Sequence, residues 1–367
     1  MGVFPNETVL SGKRGLMMKQ AYYKSDSGDL KSLLGNLGSA NLIIMISNGD
    51  MFEKHVAELH AKYPNIPSIG TTGHFYGSTL REGGVGVVAM SGVRAAAGVL
   101  RSVSSMPMRD IGEFEKNVHK VSANGNNSVC IDLCSGNDAM TIAAMNTVLK
   151  KSGISLMGGT AFDGKVSVNG TVYQDACAYA IVRNETGKVK VYKENLYRPM
   201  DNRRFIASGT DRSRYYIGEL NGKPAKAVYM NEFGISERDI SKQTFSNPFG
   251  KITGDEICII SLKEPSGNGL CCYRQVNDSD VLTLLEIGDH AEIAAETIAR
   301  IRADFSSISG VFAVNCAFRY LYFKEHNFLA SYLQSMSKLG SFCGFVGNGE
   351  HYNDQFINQT MSCVVFG

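Results

Sequence analysis

Residues 344–367, GFVGNGEHYNDQFINQTMSCVVFG, decide how the chain folds. An apolar strand runs into a turn of small residues, Gly347, Asn348 and Gly349, with the carboxylate of Glu350 on it. A polar loop follows, and Asn358, Gln359 and Thr360 open a second apolar run at 361–366. Chain ends are ordinarily loose, so an end this apolar predicts a terminus built into the core. The pattern occurs twice earlier, at 66–90 (IPSIGTTGHFYGSTLREGGVGVVAM) and 154–182 (ISLMGGTAFDGKVSVNGTVYQDACAYAIV). Laying the turns over one another places Gly70, Gly158 and Gly347 in register. Each copy follows an apolar strand and a helix, so a β-α-β-loop-β unit appears three times. The uneven spacing points to internal duplication rather than a solenoid of fixed period.

Around these units the chain reads in order. Residues 1–40 are polar and irregular, with a short strand and helix within 22–34. Strands are expected at 41–47, 85–90, 95–100, 128–134, 176–182, 189–192, 215–220 and 311–316. Segments 256–262 and 270–274 read as a hairpin around 266–269. A helix should start at Asp50 with Glu53 completing a capping box; Phe52, Val56, Leu59 and Tyr63 share its buried face, and Pro64 stops it. A second helix spans 138–151, with Lys150 and Lys151 at its negative end and Gly153 as its stop. Others are expected at 224–233, with Pro224 at its first position, at 289–305 and at 328–339, where Gly340 ends it. Residues 316–319 read as a turn. Asp132, in mid-strand, needs a partner if buried. The fold class is α/β: two pseudo-repeated domains, 1–199 and 200–367, with mixed β-sheets flanked by helices.

Composition narrows the function. At 367 residues, 44% of them hydrophobic and 20% charged, the chain is globular and long enough for two domains. A net charge of +2 gives no reason to expect nucleic acid or an anionic membrane as the main partner. No run of eighteen apolar residues is present, which argues against membrane insertion by a helix. The start, MGVFPNETVLSGKRG, lacks the apolar segment of a secretory leader, and Asn6 stands where acylation of Gly2 would need Ser or Thr. Nine cysteines, an odd number with no CxxC pair, suit a reducing cytoplasm. The Asn169 sequon is then without consequence. No phosphate-binding loop of either common type occurs.

The residues Cys316-Ala317-Phe318-Arg319, then Gly349-Glu350, then Asn358-Gln359-Thr360 resemble the C-terminal half of the FIST family. The stretch 215–233, with Leu220-Asn221-Gly222-Lys223-Pro224, is similar to the start of that half, and 157–163 (MGGTAFD) is similar to the glycine turn of the N-terminal half. The resemblance covers 30–367, in order, and assigns 1–199 and 200–367 to FIST N-terminal-like and C-terminal-like domains. It implies a sensory input module for signal transduction, not an enzyme, that binds small ligands, amino acids being the usual class. Some relatives bind haem and sense nitric oxide, and F-box relatives use the region for protein contacts. With no kinase, cyclase, methyl-accepting or F-box segment in this sequence, output is expected to pass to a separate signalling protein.

Within that frame, Arg319 is the leading ligand contact, because a guanidinium at a strand end can hold a carboxylate in a bidentate pair. The bland alternative is a structural ion pair, with Glu350 as its partner. Glu350 could take a ligand ammonium group, so that the two together would suit a zwitterion. Asn358 and Thr360 are further candidates, although such residues often bond their own turn. Gly347 and Gly349 permit close backbone approach, to a ligand or only to a neighbouring loop. Thr71, Thr72 and Asp163 stand at equivalent strand ends, where ligand sites of α/β proteins gather.

Cys316 belongs to this set as a ligand contact, or alternatively as a nucleophile served by His326 or His351; a small buried thiol is the commoner role. Haem is the alternative cofactor, with His74 or His351 as axial ligand. The histidines do not fall at zinc spacing. Binding is expected to be non-covalent, in a cleft lined by the turn loops, and to act by shifting two conformations. Substitution of Arg319 by alanine should abolish binding without unfolding the chain.

Overall fold

The computed structural model describes residues 17–254 and 256–367; the leader and acylation readings fall on residues outside these. The chain opens with β1 (Lys19–Ser25), α1 (Lys31–Leu34), β2 (Leu42–Ser47), α2 (Phe52–Lys62), β3 (Ser68–Thr72), β4 (His74–Tyr76), β5 (Leu80–Arg81) and β6 (Val85–Ser91). The same succession follows in β7 (Val93–Arg101), α3 (Ile111–Lys120), β8 (Ser128–Cys134), α4 (Asp138–Ser152), β9 (Ser155–Thr160), β10 (Val166–Val168), β11 (Thr171–Tyr173) and β12 (Ala176–Asn184).

A third copy begins at β13 (Val189–Asn195) and is interrupted by 197–288. That insert holds β14 (Tyr197–Ser208), β15 (Tyr216–Ile217), β16 (Glu219–Leu220), β17 (Lys223–Pro224), α5 (Ala225–Phe233), α6 (Ile240–Gln243), β18 (Phe249–Thr253), β19 (Glu256–Ile260), β20 (Leu262–Ser266), β21 (Gly269–Cys272) and β22 (Val281–Ile287). The copy resumes with α7 (His290–Asp304), β23 (Gly310–Cys316), α8 (Ala317–Glu325), α9 (Leu329–Ser337), β24 (Phe342–Gly347), β25 (Glu350–Tyr352), β26 (Gln355–Ile357) and β27 (Thr360–Phe366).

Three six-stranded mixed sheets repeat one strand order: β1-β6-β2-β3-β10-β11, β7-β12-β8-β9-β25-β26 and β13-β27-β23-β24-β4-β5. In each, the strands flanking the crossover helix run parallel, and the returning strand is antiparallel to the first. Each copy lends its short hairpin to a neighbour: β4-β5 to the third sheet, β10-β11 to the first and β25-β26 to the second. The inner faces share one apolar core, containing Ile44, Ile131, Phe312, Phe345 and Val364. Full burial of each such side chain contributes about 1.5–3 kcal/mol. Helices cover the outer faces, α2 over the first sheet, α3 and α4 over the second, α7 to α9 over the third.

The terminal strand β27 is buried throughout and lies between β13 and β23, as its apolar run predicts. Helix α4 is capped by Asn137 and ends at Gly153, whose φ of 64° is left-handed. Asp289 caps α7 through the amides of Ala291 and Glu292.

Other readings need correction. Ser47, Cys134 and Cys316 pair with Thr72, Thr160 and Gly347, so Gly347 matches the two threonines, not Gly70 and Gly158. No side-chain cap forms at Asp50, and Glu53 instead reaches Lys165 at 2.8 Å. Residues 317–319 open helix α8 rather than forming a turn, because Arg319, Tyr320 and Phe323 are buried at helical spacing. Strand β19 pairs with β18 and β21 with β20, so the expected 256–274 hairpin is two separate ones. Residues 215–220 break into β15 and β16, and Pro224 precedes α5 instead of opening it. Residues 199 and 200 lie within β14.

Candidate functional site

Pairing of β13 with β27, and of β27 with β23, sets Glu194 and Asn315 on either side of Met361. Arg319, one turn into α8, folds back over that row. Its Nη2 donates to Glu194 Oε1, and both side chains are fully shielded from solvent. The guanidinium lies over the rings of Phe323 and Tyr332, 4.6 and 5.1 Å from their centroids. Burial opposes its charge most, but Glu194 and Tyr332 together outweigh burial and hold the pKa above the usual arginine range. One carboxylate oxygen does not satisfy a guanidinium. Arg319 Nε and Nη1, Glu194 Oε2 and the Tyr332 hydroxyl are buried without hydrogen-bond partners among the described residues. Such groups are costly in an apolar interior.

Glu350 adds a second buried carboxylate. Its Oε2 accepts from Thr360 Oγ1 at 2.5 Å and Thr360 N at 3.2 Å, while Oε1 has no partner. Burial pushes its pKa up to about 8, against the pull of the Thr360 bonds, the Cys316 thiol and Arg319. Cys316 is 2% exposed; burial, then the nearby Glu350 charge, push its thiol upward, away from the nucleophilic thiolate. Asn358 is also buried and packs near Gly349. Gln359, part of the 358–360 motif but not among the candidate contacts, takes a left-handed φ of 59° and donates to Ser261 Oγ of the insert.

Glu194 also faces a cleft of 570 Å³ between the body and the insert. Tyr192 and Lys193 of β13, Glu256 of β19, Glu296 and Arg300 of α7 and Tyr352 of β25 line it. Lys193 is paired with Glu256, and Lys190 with Asp304 at 2.7 Å. Glu296 and Arg300 have no ion-pair partner among the described residues. Arg300 donates to the Lys193 carbonyl at 3.0 Å and lies over the Tyr192 ring. The cleft thus presents charges of both signs beside two aromatic rings.

The three turns do meet, but they bond one another instead of lining this cleft. Phe162 N donates to the Thr72 carbonyl and Asp163 N to Thr72 Oγ1, both at 2.9 Å. Asn348 N donates to the Thr160 carbonyl, and Thr160 N to that of Gly349. Gly347 packs against the Thr160 carbonyl. Thr71 is buried and Asp163 exposed. The structure therefore gathers Cys316, Arg319, Glu350, Asn358 and Thr360 in one buried layer. It places Thr71, Thr72, Asp163 and Gly347 among the turns, with Gly349 between the groups.

Residues 41–223 match the model of the FIST N domain. The chain belongs to the FIST family. FIST domains are sensory domains linked to signal transduction. No curated protein matches the chain.

In this FIST chain the buried Asp132 finds its partner across two repeats. His351, carried by the borrowed hairpin, places Nδ1 2.6 Å from Asp132 Oδ2 and Nε2 3.0 Å from Asp138 Oδ1. Burial disfavours its charge, but the flanking aspartates outweigh that and raise its pKa well above the histidine range. Both nitrogens are engaged, so neither is free for iron or for Cys316. His74 stacks on Phe162 and bonds the Glu82 carbonyl, and exposed His326 bonds the Tyr322 carbonyl. No group of three metal-ligating side chains occurs among the described residues, and no helix there is long and apolar enough to cross a membrane. Sequence reading missed Glu194, Glu296 and Arg300. Each is an ordinary charged residue of an amphipathic strand or helix; Glu296 and Arg300 stand one turn apart on α7, and only long-range packing brings them to Glu194.

Proposed function

We propose that this FIST protein senses a small zwitterion of the amino-acid class, bound non-covalently in the 570 Å³ cleft, and signals through a separate protein partner in the cytoplasm. The observation that carries this reading is the Glu194–Arg319 pair at the cleft floor, fully buried yet short of hydrogen-bond partners. Arg300 supplies a guanidinium for a carboxylate, and Glu296 supplies a carboxylate for an ammonium group. Tyr192 and Tyr352 flank the space between them.

Arg319 acts by holding Glu194. Cys316, Glu350, Asn358 and Thr360 form the layer that fixes Arg319, and Gly347 and Gly349 let the chain pass close behind. Thr71, Thr72 and Asp163 fix the turns on which that layer rests. The cleft joins β13 and α7 of the body to β19 of the insert. A ligand spanning it would therefore favour one arrangement of insert and body, and a partner would read that shift.

The test is a thermal-shift panel of the standard amino acids. At 100 times its dissociation constant a ligand adds about 2.7 kcal/mol. Glu296→Gln and Arg300→Gln, both at exposed positions, should each weaken binding tenfold or more with the unliganded melting temperature unchanged. A flat panel, or variants that bind like wild type, would contradict the proposal.

A further inference from the structure

A second cavity, of 520 Å³, lies between α4 and the segment after β21. One wall is apolar: Ala139, Ile142 and Ala143 of α4 and Phe356 of β26. Facing it is Arg274 of the insert. Its Nη1 is buried without a hydrogen-bond partner, and no ion pair involves Arg274 among the described residues. The other two charges on the rim, Lys150 and Asp354, neutralise each other at 2.8 Å. Asn146 Nδ2 is spent on the carbonyls of Ile142 and Asn353. The cavity therefore has one uncompensated cation opposite an apolar wall. Burial lowers the Arg274 pKa, which fits a guanidinium lacking a counter-charge.

We propose that this cavity is a binding site for a small organic monocarboxylate with an apolar body. The guanidinium takes the carboxylate as a bidentate pair, and the body packs on Ile142, Ala143 and Phe356. A phosphate dianion fits less well, since two negative charges would face one free cation. A volume of this size is ordinary for a small-molecule site. The site is distinct from the cleft at Glu194 and does not rest on the reading given to that cleft. Because Arg274 belongs to the insert and α4 to the body, an occupant would tie the two together.

The full-length chain is titrated by calorimetry and thermal shift with butyrate, benzoate, their primary amides and inorganic phosphate. Butyrate or benzoate should bind and raise the melting temperature, and the amides and phosphate should not. Arg274→Gln should weaken carboxylate binding at least tenfold without lowering the unliganded melting temperature, because it removes a charge that has no partner. Ala143→Phe, at an exposed helix position, should block the apolar wall and also abolish binding. Glu296→Gln should leave carboxylate binding unchanged. The proposal is overturned if no carboxylate binds, if amides bind equally well, or if either cavity variant binds like wild type. It is also overturned if Arg274→Gln lowers the unliganded melting temperature by several degrees, since the arginine would then be structural.

Discussion

Arg319 shows how a single residue can be read correctly by type and wrongly by partner. Its place after a strand, in the run Cys316–Arg319, marked it as chemically committed, yet Glu194 on a strand 125 positions away in sequence is what it meets. Complete burial also changes what its loss should do. Arg319→Ala leaves Glu194 charged and unpaired in the interior, so it should cost about 3–5 kcal/mol, read as a lower urea midpoint; a loss below about 1 kcal/mol would mean the pair is not buried. The proton balance of the neighbouring groups gives a second expectation. Glu350 binds its proton up to about pH 8 in the folded chain, against an ordinary value of 4.5. Its contribution is therefore full below about pH 4.5 and is lost as pH rises through about 8. His351, raised by Asp132 and Asp138, contributes fully below about pH 6.5 and loses that contribution as pH rises through its folded pKa. Stability should thus fall as pH rises from about 4.5 through 8, by at most about 1.4 kcal/mol per pH unit for each proton. Glu350→Gln should flatten the lower part of that fall, and a wild-type stability that rises over this range would contradict the assignment.

Among the elements, those announced by apolar runs and glycine stops were legible in the sequence. Strand β8 falls where SVCIDLC places it, and α4 ends at its expected glycine. The Cys316–Arg319 segment was not, because a nine-residue helix starting directly after a strand has no side-chain cap to announce it. Nor was the register of the turns, since three copies of similar small-residue turns can be slid by two positions without spoiling the apolar pattern. Pairing decides it, and Gly158 shows the constraint. A methyl group there would collide with the Asp132 carbonyl and side chain, whereas one at Gly112 in α3 would meet nothing within 4 Å. Gly158→Ala should therefore destabilise by about 1–3 kcal/mol, and Gly112→Ala should be neutral or stabilise by up to about 1 kcal/mol. Denaturant titration of the pair distinguishes the two; equal effects would place Gly158 away from β8.

At the scale of the whole molecule, the threefold repetition was visible in the sequence, but the exchange of hairpins was not, because nothing local says whose sheet a three-residue strand joins. That exchange interlocks the body: each sheet lacks two strands unless another repeat supplies them. A fragment ending at residue 199 leaves β4-β5 without the third sheet and β9 without β25-β26. It should show no cooperative melt; a sharp transition from that fragment would mean the first half folds alone. The insert, docked on this body, makes the cleft where sensing is proposed. Hydrogen exchange with and without the tightest-binding amino acid tests that proposal most directly. Added protection should be concentrated in 189–195, 256–260 and 290–300, the β13, β19 and α7 walls of the cleft. Protection confined to the turns at 70–74 and 158–163, or no change anywhere at saturation, would contradict it.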